Sequence, residues 1–296
     1  METDMDYKTV AHLVERAEAE ASAISAVVLR EQAEAMEQTE SALIAAMRKN
    51  LCVMREAVEA GNVENSRSGS GLTGGDAYRM ENFAKTGGLT GGFFERALAK
   101  ALAVSEYNAC MGKIVASPTA GSCGILPAAI LTLAEERELP EDACVMALFT
   151  AGAFGMVIAQ NASISGAEGG CQAECGSAAA MAAAALVELA GGTPQMCADA
   201  CAIALKNQLG LVCDPVAGLV EVPCIKRNAG GIACALAAAD MALAGIKSVI
   251  PADEVIGAVR EVGKTMPACL RETGEGGLAA TPTAARLKKE LFGDGR

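Results

Sequence analysis

The run Cys175 to Val187, CGSAAAMAAAALV, constrains the fold most: thirteen uncharged residues lie between Glu174 and Glu188. Alanine is the best helix former, and a helix apolar all round has no face to turn to water. The run therefore predicts a helix over Ser177–Ala190 packed on every side. Glycines and a second cysteine precede it in GAEGGCQAECG, which brings backbone close to whatever Cys171 and Cys175 face. Two outcomes fit: a tight helix junction filled by small soft side chains, or the rim of a metal site.

The rest of the chain supports an all-α fold. Apolar residues make up 52% of the 296, aromatics only 3%, and Trp is absent. Helical patterns are expected over Phe93–Asn108, Leu126–Arg137, Ala143–Ala159, Pro194–Gln208, Gly231–Gly245 and Asp253–Val262. No period-two alternation runs long enough to argue for a sheet. Residues 7–61 read as two or three charged amphipathic helices, with Gly61 placed to stop the last. The expectation is an N-terminal helical arm over 1–61 and a bundle-like catalytic domain over 62–296, probed below as one continuous body. Between them, Asn62–Gly92 is rich in Gly and Ser and carries LTGG twice, read as two tight turns needing positive φ. The other reading, a phosphate-cradling loop, lacks a Walker sequence and a preceding strand.

The net charge of −12 argues against nucleic acid and against an anionic membrane surface. Two uncharged runs, Ile114–Ala134 and Ala143–Ala167, resemble membrane spans. The first holds Pro, Gly, Ser and Thr; the second is apolar for about seventeen residues, short of the roughly 20 a bilayer needs. Both are expected as buried helices. The N-terminus is acidic and has no apolar signal region, so a reducing cytoplasm is expected. Twelve cysteines there point to metal, catalysis or core filling rather than disulfides.

Cys144, Cys197, Cys201 and Cys234 fall within helical patterns and read as core. Cys171, Cys213 and Cys224 lie beside Gly or Pro turns, and their spacing alone leaves ligation and packing both open. Structural zinc takes four Cys or His ligands, and His12 is the chain's only histidine. Soft thiolates suit an iron–sulfur cluster. Three of them on a [4Fe–4S] cube leave one iron open to a hydroxyl and a carboxylate. Ser117, Thr119 and Ser122 in SPTAGS could offer hydroxyls and N–H groups to a carboxylate, or simply cap a helix. Asn161, Ser163 and Ser165 alternate just before the cysteine turn. Lys113, Lys226 and Arg227 are the nearby cations.

SPTAGSCGILPA, NASISGAEGGCQAE and CDPVAGLVEVPCIKRNA, in that order, resemble the iron–sulfur-dependent L-serine dehydratases, specifically their α chain. The cysteine separations of 42 and 11 residues match, and SGSGLTGGDAYRM and the arm extend the likeness over nearly the whole chain. The resemblance implies deamination of L-serine to pyruvate and ammonia without pyridoxal phosphate. It implies Cys171, Cys213 and Cys224 as ligands of a [4Fe–4S] cluster. It makes Ser117, Thr119, Ser122, Asn161 and Ser163 candidate substrate contacts, and Lys113, Ser163 and Ser165 candidate bases. The family's β portion is not in this sequence, so a β subunit and an oligomer are expected. The tail LKKELFGDGR has no cysteine, so a resting fourth ligand would come from solvent, the partner, Cys175 or Cys269. The rivals are an L-cysteine desulfidase or L-threonine dehydratase on the same fold, and a non-catalytic helical subunit that binds a partner.

Overall fold

The computed structural model describes residues 8–293. Residues 1–7 of the expected arm and 294–296 of the tail lie outside the described residues. Thirteen α-helices and no strands are found among the described residues; the sole ladder contact is an isolated parallel bridge between Cys213 and Arg271.

Helix α9, Ser177–Leu189, is buried at every position from Ser177 to Val187. It is enclosed by α6 (Ile125–Glu136), α7 (Glu141–Asn161), α10 (Pro194–Gln208) and α11 (Cys224–Leu243). Alanine faces let these axes approach closely, and glycine does so where even a methyl is too large. A Cβ on Gly155 of α7 would sit 2.8 Å from Met181 Cε. By length and composition α7 suffices to cross a membrane, which the expectation of a shortfall missed, yet 67% of its apolar window is buried inside the protein.

The arm forms three helices, α1 (Val10–Ala19), α2 (Ile24–Ala35) and α3 (Glu40–Gly61). They lie against the body: α1 on α10, α2 on α7, and α3 on α5 (Gly92–Ala109). The α1 N-terminus is capped by Thr9 and by Asp253 of α12 (Ala252–Thr265), whose carboxylate accepts from Val10 N–H at 2.7 Å and Ala11 N–H at 3.0 Å. Gly61 does end α3, but not through a left-handed turn. Its added Cβ would lie 1.9 Å from the Ala103 carbonyl oxygen, so its role is close approach to α5.

Both LTGG copies turn into helix starts. Gly74 and Gly75 have φ of 135° and 77° ahead of α4 (Asp76–Thr86), and Gly91 has φ of 87° ahead of α5. The expectation of turns alone over Asn62–Gly92 missed α4, which buries only Ala77 and so gives little hydrophobic signal. Helix α11 starts at Cys224, seven residues before the expected Gly231. Gly231 sits mid-helix, where a Cβ would lie 2.3 Å from Ile125 Cδ1, so its role is close approach to α6. The short α8 (Gly166–Gly169) and the terminal α13 (Pro282–Phe292) were also not expected.

Candidate active site

Cys171 precedes a π-helical turn, Gln172–Gly176, that leads into α9. The extra residue in such a turn marks functional sites often, and here it places Glu174 and Cys175 on the same short segment. Gln172 fastens the turn by donating to Val259 O at 2.9 Å and accepting from Gly210 N–H at 2.8 Å. Backbone bonds fix the remaining pieces: Gln172 N–H to Leu211 O at 2.9 Å, Cys213 N–H to Leu270 O at 2.9 Å, and Glu272 N–H to Cys213 O at 2.7 Å. Cys224 opens α11 directly after Pro223, rather than lying in a loop.

These elements bring Cys175, Cys213 and Cys224 within electrostatic range of Cys171. Cys171, Cys175 and Cys213 are buried and Cys224 half-buried. The Cys171 thiol is held below the ordinary thiol range, because Cys175 donates to it and the Arg227 guanidinium lies beside it. The same bond and full burial push Cys175 up. Burial, with the Glu174 charge, raises Cys213. Burial and the Cys171 charge push Cys224 up to about 12. Desolvation disfavours charge on each of these thiols, and the single cation beside them offsets it chiefly at Cys171.

Arg227 is that cation. It pairs with buried Asp214 at 2.8 Å and donates to Val212 O at 2.7 Å. Lys226, by contrast, is mostly exposed and pairs with Asp76 at the start of α4.

Glu174 is the residue the sequence did not single out. Its carboxylate accepts from Thr119 Oγ1 at 2.8 Å and contacts Cys213 Sγ at 3.7 Å. Burial, then the nearby Glu272 charge, lifts its pKa above the usual carboxylate value. Two glycines make room for it. A Cβ on Gly166 would fall 2.6 Å from Oε2, and one on Gly121 3.1 Å from Oε1.

Of the expected substrate contacts, Thr119 reaches this group and Ser122 bonds to Thr119 at 3.2 Å in a capping box. Ser117 is buried and its Oγ has no hydrogen-bond partner. The SPTAGS turn is tied to α11 by Asn228, described below. Asn161 instead holds the arm, donating to Lys8 O at 2.8 Å and to Val157 O at 2.9 Å. Ser163 donates to Glu168 at 2.7 Å and accepts from Ser165 N–H at 3.0 Å, a local clasp on the segment entering Cys171. Lys113 is exposed. Cys269 is half-buried on the segment before Arg271. Cys197 and Cys201 lie in the α10 core, as expected.

Glu221, three residues before Cys224, anchors the first LTGG loop: its Oε2 accepts from Ser70 Oγ at 2.9 Å and Thr73 Oγ1 at 2.8 Å. An apolar groove of about 280 Å³, lined by Phe93, Leu133, Leu186, Leu236 and Leu243 among others, contains no thiol.

Among the described residues, no three Cys, His, Asp or Glu converge as one bare ion requires. A polynuclear cluster is a different demand, since each thiolate there binds its own metal atom. The donor set fits such a group: largely buried, thiol-rich and without histidine.

An all-helical protein with a buried polythiol site and an adjacent carboxylate is the class that fold and site define. Comparison with known proteins narrows it. The profile of the serine dehydratase alpha chain family matches residues 19–279. A probable L-serine dehydratase alpha chain from Bacillus subtilis is 53% identical over 97% of this chain and 96% of its own length. The L-serine dehydratase alpha chain of Peptoniphilus asaccharolyticus is 49% identical over 75% of this chain and 76% of its own. L-serine dehydratase 1 of Escherichia coli is 48% identical over 60% of this chain, but the match spans only 40% of that longer protein. The chain belongs to the serine dehydratase alpha chain family.

Proposed function

We propose that the chain is the α subunit of an L-serine dehydratase that converts L-serine to pyruvate and ammonia without pyridoxal phosphate. The observation that carries this is the gathering of Cys171, Cys213 and Cys224 around Glu174 and Thr119, in a chain whose relatives bear that name.

The three thiols would hold a [4Fe–4S] cluster, with Cys175 hydrogen-bonded to Cys171 behind it. When bound, the cluster supplies a Lewis acid that eases departure of the substrate hydroxyl. The protein's own groups do the rest. The unpartnered Ser117 hydroxyl would supply a donor to the substrate carboxylate. Arg227 offsets thiolate charge, which buried sulfur could not sustain alone. Loss of the Cα proton and the β-hydroxyl gives aminoacrylate; tautomerisation and hydrolysis then return the water and release pyruvate and ammonia. Lys113, Ser163 and Ser165 stay the candidate proton acceptors, to be separated by substitution.

The longer Escherichia coli relative carries additional length beyond the match. We infer that a separate β chain supplies the equivalent here. The test is anaerobic purification with that partner, followed by iron and sulfide analysis and rates on L-serine, L-threonine and L-cysteine. Bound iron and sulfide with fastest turnover of L-serine are expected. Iron-free, colourless protein would favour a partner-binding subunit, and preference for L-cysteine would make it a desulfidase.

A further inference from the structure

We propose that Glu174 is the group that binds the α-ammonium of the amino-acid substrate. This rests on the serine dehydratase reading but assigns a residue and a specificity that reading does not contain.

Four observations lead there. First, Glu174 lies on the π-turn between Cys171 and Cys175, with its carboxylate 3.7 Å from Cys213 Sγ. Second, among the described residues it forms no ion pair, although Arg227 nearby is committed to Asp214. A half-buried carboxylate without a cation is disfavoured, and a cationic ligand removes that cost. Third, one of its oxygens is oriented by Thr119 at 2.8 Å, while each carboxylate oxygen keeps further lone-pair capacity. Fourth, Gly121 and Gly166 flank the carboxylate so closely that any side chain there would displace it. Packing alone has no use for a carboxylate seated this way.

The chemistry of recognition follows. The substrate class is α-amino acids, and 2-hydroxy acids of the same shape lack the cation that Glu174 pairs with. Thr119 donates to Glu174 and so keeps the accepting oxygen turned toward the ligand. The substrate carboxylate goes to the opposite kind of group, the unpartnered Ser117 hydroxyl.

The experiment uses the anaerobic holoenzyme with its partner and compares Glu174→Gln with the natural protein. Binding of L-serine and of L-glycerate, which replaces the ammonium by hydroxyl, is followed by calorimetry. The variant should keep its iron and sulfide content and lose about 10–100-fold in L-serine affinity, the size expected for one buried charge-assisted bond. Its L-glycerate affinity should stay within about twofold, and Glu174→Asp should restore part of the serine affinity. Unchanged L-serine binding, equal loss for both ligands, or loss of iron would each overturn the assignment. Failure of the dehydratase reading shows elsewhere, as absence of iron or of serine turnover in the natural protein.

Discussion

Asn228 accepts a hydrogen bond from the backbone N–H of Gly124 at 2.9 Å, joining the first turn of α11 to the start of α6. Its amide also donates to Gly121 O at 2.7 Å and Cys224 O at 3.0 Å, and the side chain is buried. One residue therefore holds the SPTAGS turn against the Cys224 helix. Asn228→Ala leaves a buried N–H and two carbonyls unpaired, and should cost about 2–4 kcal/mol. Urea unfolding measures it. Asn228→Asp keeps the Gly124 bond but not the two donated ones, and should fall between.

Cys171→Ala, Cys213→Ala and Cys224→Ala should each remove bound iron from anaerobically purified protein. Cys197→Ala should keep it and lower stability by about 1 kcal/mol, since Cys197 fills the core of α10. Iron and sulfide assays beside melting curves separate the two groups. Equal iron loss in all four would show that the ligands were chosen wrongly.

Alkaline pH should destabilise the metal-free protein. Burial pushes the Cys123 thiol up to about 12, from an ordinary value of 9.0. Below 9.0 this thiol is protonated in both folded and unfolded chains, so it adds no pH dependence. Between 9.0 and about 12 only the unfolded chain releases the proton, so stability falls as pH rises. The slope is about 1.4 kcal/mol per pH unit for each such thiol. Urea midpoints from pH 7 upward should be flat and then drop, and Cys123→Ala should make the drop shallower.

Gly61→Ala tests the contact between α3 and α5. Its methyl would meet the Ala103 carbonyl oxygen at 1.9 Å, and backbone cannot swing aside as a side chain does. A loss of about 1–3 kcal/mol is expected by thermal unfolding, with iron content unchanged.

Glu221→Ala frees Ser70 and Thr73 together. Amide exchange over residues 68–75 should quicken relative to the natural protein, while exchange in α9 stays as it was. Protection retained in that loop would mean that its glycine turns, not Glu221, keep it in place.

The helices were readable wherever apolar side chains run without interruption. The stretch Cys175–Val187 could only be an enclosed helix, and α9 is one. Polar α4 was hidden by the glycines that flank it, and the true start of α11 by Gly230–Gly231, of which Gly231 serves close contact with Ile125. The cysteines drew notice because thiols beside Gly and Pro are poor core fillers. Glu174 gave no such signal. A glutamate bordering an apolar run looks like a surface residue, and its meaning depends on Thr119 and Cys213, 55 and 39 residues away in sequence. Asn161 misled for the converse reason: its amide serves the Lys8 carbonyl of the arm, a contact no local pattern announces.

The thiol-bearing segments are clamped to Leu211, Leu270 and Glu272 through peptide groups, not side chains. The grip on each sulfur-bearing segment therefore does not depend on the chemistry of the side chains at those three positions. Proline at 272 is the exception, because it deletes the N–H that grips Cys213. Glycine there is welcome, since the φ of 63° already suits it. What descent must preserve in this corner is the path of the main chain, and a search for invariant letters would overlook it.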